Sequence, residues 1–127
     1  ELEIQGERGR IEATMRLPGL HRPMEARELS DGTLRYLCLL AALLAPAPPP
    51  LIALNEPETS IHPDLLDPLA NLITEASELT QIRVVTHSME LAERIEKHSG
   101  RKAYRLVKDD GVTRIEGLRL EDWEAVE

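Results

Sequence analysis

Two short apolar runs, "LIAL" at Leu51–Leu54 and "IRVVT" at Ile82–Thr86, flank a stretch that places Leu65, Leu66, Leu69, Leu72, Ile73 and Ala76 on one helical stripe. A short apolar run between breakers reads as a strand covered on both faces, and strands alternating with helices read as parallel βαβ units. This pattern constrains the fold more than any other feature, because parallel strands send their carboxyl ends, where ligands bind, to the same edge. Pro68 lies inside the stripe, so the helix is either kinked there or starts near Asp67 as N-cap.

The flanking segments complete an order of hairpin, helix, strand, helix, strand, helix, hairpin. "LEIQGERGRIEATMRL" alternates apolar and polar residues on both sides of "GERG" and reads as a β-hairpin, followed by a loop with Pro18, Gly19 and Pro23. "ELSDGTLRYLCLLAALLA" turns apolar almost all round from Leu34, which predicts a helix buried on most sides, stopped by the prolines of 46–50. A short helix is expected from Ser88 to about His98 with Gly100 as its stop. "KAYRLVK" and "VTRIEGL" flank "DDG" as a closing hairpin. A chain of 127 residues has the size of one domain, divided here into a hairpin and loop (1–27), a central βαβ region (28–98) and a closing hairpin and tail (99–127).

Composition removes several function classes. With no Phe and a net charge of −8, the core must be aliphatic, and nonspecific attraction to a nucleic-acid backbone is disfavoured. The single cysteine, Cys38, excludes a disulfide within the chain and is expected to be a buried small side chain. The longest apolar run is interrupted by Arg35 and too short to span a bilayer, so no membrane role and a cytoplasmic location are expected. The chain opens on Glu1 without an initiator methionine, from which a piece of a longer protein is expected.

Both central strands run into polar residues: Asn55 and Glu56 after the first, His87 after the second. A carboxylate at a strand end can bind Mg²⁺ or deprotonate an attacking water, and a neighbouring histidine can donate to an anionic oxygen. "LSDGT" at 29–33 opens the first helix, whose N-terminal amides, with the small Ser30 and Gly32, would admit a phosphate. Taken singly, each has a plainer reading: Ser30 or Asp31 as a helix cap, His87 as a structural strand-end residue, Glu56 before Pro57 as a turn residue. Their joint order favours phosphoryl transfer, which is mostly positioning and charge neutralisation.

The ordered set "ELSDGTLRYL", "PPLIALNEPETSIHPDLL" and "IRVVTHSMELAERI" resembles the C-terminal half of an ABC-type ATPase head. It is most similar to the SMC/RecF-like bacterial AAA ATPases, over roughly residues 28–95. The resemblance implies an α/β, P-loop NTPase-like C-terminal lobe with a parallel βαβ core flanked by β-hairpins, using ATP and Mg²⁺. It further implies that Ser30, Asp31 and Gly32 lie in the signature that meets the nucleotide of the opposite protomer. Glu56 would be the general base, Asn55 the magnesium-associated position, and His87 the γ-phosphate switch. Ser60 and His62 would lie in the D-loop at the interface of a homodimer, with DNA or protein as a further partner.

Three departures qualify the resemblance. Asn55 is neutral where the family commonly has an acid, which weakens the hold on Mg²⁺, and Asp31 replaces a glycine of the signature, with a cap as its alternative role. No "GxxxxGK[ST]" occurs in the sequence. The chain alone is therefore expected to be inactive, and an N-terminal lobe carrying that loop is expected as its partner. The alternative is a degenerate, nucleotide-gated dimerisation module.

Overall fold

The computed structural model of the chain describes residues 2–7, 10–16 and 21–116. Strands β1 (Leu2–Glu7) and β2 (Arg10–Met15) pair antiparallel with Glu7 opposite Arg10. The tip of the hairpin, together with Leu17, Pro18 and Gly19, falls outside the described residues. The segment read as loop up to Pro23 is followed by a short third strand, β3 (Met24–Glu25), which pairs with β2 at Thr14 and Met15. Proline is tolerated just before or at an edge strand, where its missing N–H interrupts no ladder.

A single 3₁₀ turn at Ala26–Glu28 then leads toward the first helix. The Arg22 guanidinium grips the Glu28 carboxylate at 2.8 and 2.6 Å, and the Glu25 amide donates to the same group at 2.9 Å. The Arg22 hydrogen bond, followed by that of the Glu25 amide, holds the Glu28 carboxyl down at about 2, against an ordinary value of 4.5. A depressed folded-state value means that this contribution is present above the unfolded value and is lost as pH falls from 4.5 toward about 2. The melting-temperature difference between the parent and Glu28→Gln is therefore expected near neutrality and should vanish at the acid end of that window. Because the pair is exposed, the difference should be small.

Helix α1 (Asp31–Leu43) turns Tyr36, Leu39 and Leu43 toward the core, a spacing that lines one helical face. Of its residues only Leu43 is buried; Leu44, just past its end, is 62% exposed, and Cys38 is exposed too. The expectations of a helix buried on most sides and of a buried cysteine are thus overturned. An apolar sequence sets what a helix can bury, but among the described residues its other faces meet no neighbour that would cover them.

Strands β4 (Leu51–Asn55) and β5 (Gln81–Val85) pair in parallel, from Leu51 opposite Gln81 to Asn55 opposite Val85. The crossover between them is helix α2 (Leu66–Ala76), preceded by a 3₁₀ turn at Pro63–Leu65. Pro68 falls in the first turn of α2, where backbone amides have no intrahelical acceptor, so its missing N–H breaks nothing. Asp67 is accordingly not the N-cap but a first-turn residue.

Leu54, Leu69, Ala70, Ile73, Ala76, Leu43 and Leu91 form the core, with Ile52, Ile82 and Val84 packed against it. The alternate residues Leu51, Ala53, Gln81, Arg83 and Val85 are exposed. The sheet is therefore covered on one face rather than two, because side chains alternate across a strand and the helices supply a surface for one set only.

Helix α3 (Met89–Ser99) has local signals at both ends. The Ser88 hydroxyl accepts from the Leu91 amide at 3.1 Å, and Gly100 closes the helix at φ 69°. Ser88→Ala is expected to cost about 1 kcal/mol, measured by urea unfolding. Across the α2–α3 contact, His98 and Arg94 reach Asp67 at 3.2 and 3.6 Å, and the His98 hydrogen bond, the leading cause, keeps the Asp67 carboxyl below its usual range.

Strands β6 (Leu106–Asp109) and β7 (Val112–Ile115) close the described chain. Asp110 at φ 45° and Gly111 at φ 81° supply the two left-handed residues of a type I′ hairpin. The remainder of the closing segment, from residue 117, lies outside the described residues. Among the described residues no helix is long and apolar enough to cross a membrane.

Candidate functional site

The parallel ladder runs one residue past β4: the Glu56 amide donates to the Val85 carbonyl at 2.7 Å. Glu56 itself adopts φ 46°, a left-handed conformation that costs a non-glycine residue roughly 1–2 kcal/mol. Pro57, fully buried, wedges the chain behind it. The Glu56 carbonyl accepts from the Thr59 amide at 3.1 Å and from the Arg35 guanidinium of α1 at 3.0 Å. Backbone strain is thus fixed from several sides at the residue whose carboxylate leaves the strand end.

That carboxylate meets His87. Glu56 Oε1 lies 3.0 Å from His87 Nε2, with the histidine side chain 87% exposed and the glutamate 40%. An open pair of this kind can accept a proton from water on the carboxylate or donate one from the imidazole. Two residues on, Glu58 reaches the other residue of the same dipeptide: the Thr86 hydroxyl donates to Glu58 Oε1 and accepts from the Ser88 amide at 2.9 Å. The carboxylates on either side of Pro57 therefore each engage one of two consecutive residues after β5.

At the start of α1, Ser30 is the cap. Its hydroxyl accepts from the Thr33 amide at 3.2 Å and lies 2.9 Å from the Thr33 hydroxyl. Asp31, the alternative cap, is instead an exposed first-turn residue, where a negative charge suits the helix dipole. Gly32 faces the loop after β4 so closely that a Cβ there would stand 2.1 Å from the Ser60 carbonyl oxygen. Ser60 is itself left-handed, at φ 64°. His62 is exposed and caps the 3₁₀ turn by accepting from the Asp64 amide at 3.3 Å.

The structure thus joins Glu56 with His87, and Gly32 with Ser60, while Arg35 connects α1 to the Glu56 backbone. Asn55 is exposed at the end of β4, level with Val85. Sequence reasoning missed Arg35, Glu58 and Thr86. The available signal for the last two was the matched pair "EPE" and "TH" at the ends of strands in equal register. Asn55 and Glu56 offer oxygen donors only, a set that suits a hard cation such as Mg²⁺ bound together with phosphates. Among the described residues no group of three or more His, Cys, Asp or Glu could hold a metal ion.

A family model described as "AAA domain, putative AbiEii toxin, Type IV TA system" matches residues 10–93. A solved structure described as "Structural biochemistry of ATP-driven dimerization and DNA stimulated activation of SMC ATPases" is similar over 98% of this chain and 77% of that chain. Its TM-score is 0.74 at 19% identity, a likeness of fold.

Proposed function

The chain belongs to the AAA-domain family that matches residues 10–93 and has a P-loop NTPase-like α/β fold, and on that premise we propose that it supplies the catalytic base of an ATPase. Residues 1–127 act as the C-terminal lobe of the ATPase head. The observation that carries this reading is the 3.0 Å pairing of Glu56 with His87 at the ends of two parallel strands.

Glu56 accepts the proton of the water that attacks the terminal phosphoryl group, and His87 donates a hydrogen bond to the oxygens on which charge builds. Asn55 and Glu56 are the residues that would hold Mg²⁺, directly or through water, and a bound ion would supply neutralisation of phosphate charge there. Ser30, Asp31 and Gly32 open α1 toward the nucleotide of a second copy, and Ser60 and His62 lie at the shared interface. The sequence has no "GxxxxGK[ST]", so the phosphate-cradling loop is assigned to an N-terminal lobe. The similar solved structure is described in terms of ATP-driven dimerization and DNA-stimulated activation. A homodimer closed by ATP, coupled to a DNA or protein partner, is the corresponding proposal here.

One observation favours a second reading. Asn55 carries no charge where an acid would hold the ion more firmly, which fits a module that dimerises on ATP with little turnover. Steady-state hydrolysis by the full-length protein with Mg²⁺ and ATP separates the two. Turnover supports the enzyme; ATP-dependent dimers without turnover support the module; neither would remove both.

A further inference from the structure

We propose that Glu58 and Thr86 form a positioning bracket that sets the His87 ring against Glu56; the inference rests on the reading of Glu56 as the base. His87 lies between two residues that are both tied down. On one side, the Thr86 hydroxyl donates to Glu58 Oε1. On the other, the Ser88 amide folds back onto that same hydroxyl at 2.9 Å, closing a small turn around His87, while the Ser88 side chain is committed to the first turn of α3. A threonine hydroxyl has one proton to give, so accepting from Ser88 while donating to Glu58 leaves it a single orientation.

The bracket is also joined to the base. Glu56 and Glu58 are separated only by Pro57, which is fully buried and has a fixed φ. The backbone that carries both carboxylates is therefore restrained, and each carboxylate engages one residue of the Thr86–His87 pair. An exposed imidazole has little packing to orient it, so beyond its contact with Glu56 the ring depends on where its backbone is held, and Thr86 and Ser88 are the residues that hold it.

Glu58 Oε2 is shut off from solvent and has no hydrogen-bond partner among the described residues. A buried carboxylate oxygen without a donor is unfavourable, and a fastening role alone could be met by a neutral side chain that buries no such oxygen. What a carboxylate adds is a stronger, charge-assisted bond from the Thr86 hydroxyl. A local rule broken beside a site, and offset by a gain at that site, is the pattern of a positioning residue.

The test uses the full-length protein. Thr86→Val, which keeps the shape and removes the hydroxyl, is expected to lower kcat for ATP roughly tenfold or more through misplacement of the ring. KM should be unchanged within about twofold, and Thr86→Ser should restore most of the rate. In a His87→Ala background, Thr86→Val should cost less than about twofold, because the two substitutions remove the same arrangement. Glu58→Gln, which weakens the acceptor while keeping its shape, should give an intermediate loss, and a melting transition for each variant separates misfolding from misplacement.

A readout independent of turnover is the nuclear Overhauser contact between His87 Hε1 and the Glu56 side chain in histidine-labelled protein. It should be present in the parent and absent in Thr86→Val. A contact that persists in a folded Thr86→Val, or a rate loss of full size in the His87→Ala background, would overturn the bracket. If the parent hydrolyses no ATP, the ATPase reading falls and the Overhauser contact alone decides on the bracket.

Discussion

Replacing Glu56 by Gln in the full-length protein is expected to lower ATP turnover roughly 10²–10⁴-fold, the range supplied by a positioned general base. Glutamine has nearly the same shape, presents an oxygen toward His87 where Glu56 Oε1 now sits 3.0 Å away, and bears the same left-handed backbone cost at φ 46°. What it lacks is the ability to take a proton. Stability should therefore change by less than about 0.5 kcal/mol, because no buried contact is removed. The apparent KM should move little, and ATP-bound dimers should accumulate because the step that releases them is blocked. The measurement is steady-state hydrolysis paired with sedimentation in ATP. Turnover within about threefold of the parent would take the base role away from Glu56.

Gly32→Ala is expected to destabilise the fold by about 1–3 kcal/mol, the cost of forcing extra volume into a closed contact. Two effects oppose each other. Alanine is the better helix former, by about 1 kcal/mol in a helix interior. Against this, the new Cβ would meet the Ser60 carbonyl oxygen at 2.1 Å and its carbon at 3.3 Å. The obstacle is backbone and cannot swing aside like a flexible side chain. Either α1 lifts away or the loop carrying Ser60 does, and that loop follows directly from Glu56. The collision wins, so urea unfolding should show a lower midpoint with an unchanged slope. ATP-dependent dimerisation should weaken as well, since both sides of the displaced contact are assigned to the interface. An equal or higher midpoint would mean that the approach of Ser60 to Gly32 is not tight in solution.

Features that depend on neighbours in sequence were legible. Ser88 and Gly100 delimit α3 because a cap is a hydrogen bond over three residues and a left-handed stop needs only a glycine. The Asp110–Gly111 turn follows from two residues that tolerate positive φ between two strand-like runs. The parallel pairing of β4 and β5 follows from their alternation with α2.

Features set by distant residues were not legible. The all-round apolar character of α1 says nothing about how much neighbouring surface exists to cover it, and the same holds for the open face of β4 and β5. Pro68 looked like an obstacle because the 3₁₀ lead-in at Pro63–Leu65, which moves the helix start ahead of it, could not be placed. Within the site, the alternation of strands and helices is enough to place Glu56 and His87 at one edge. The Arg35 bond to the Glu56 carbonyl, the Gly32–Ser60 approach and the Glu58–Thr86 hydrogen bond join residues 21 to 28 positions apart, and no local pattern encodes them.

The proposed ATP site is completed in the full-length protein by the N-terminal lobe that carries the phosphate-cradling loop and by a second copy across the interface. Its most direct test is turnover per chain of the full-length protein over a dilution series, with the dimer fraction measured in the same samples by sedimentation in Mg²⁺ and ATP. The account predicts that turnover rises in proportion to the dimer fraction and approaches zero for the monomer. Turnover that stays constant while the protein dissociates would contradict it, by showing that one copy contains the whole site.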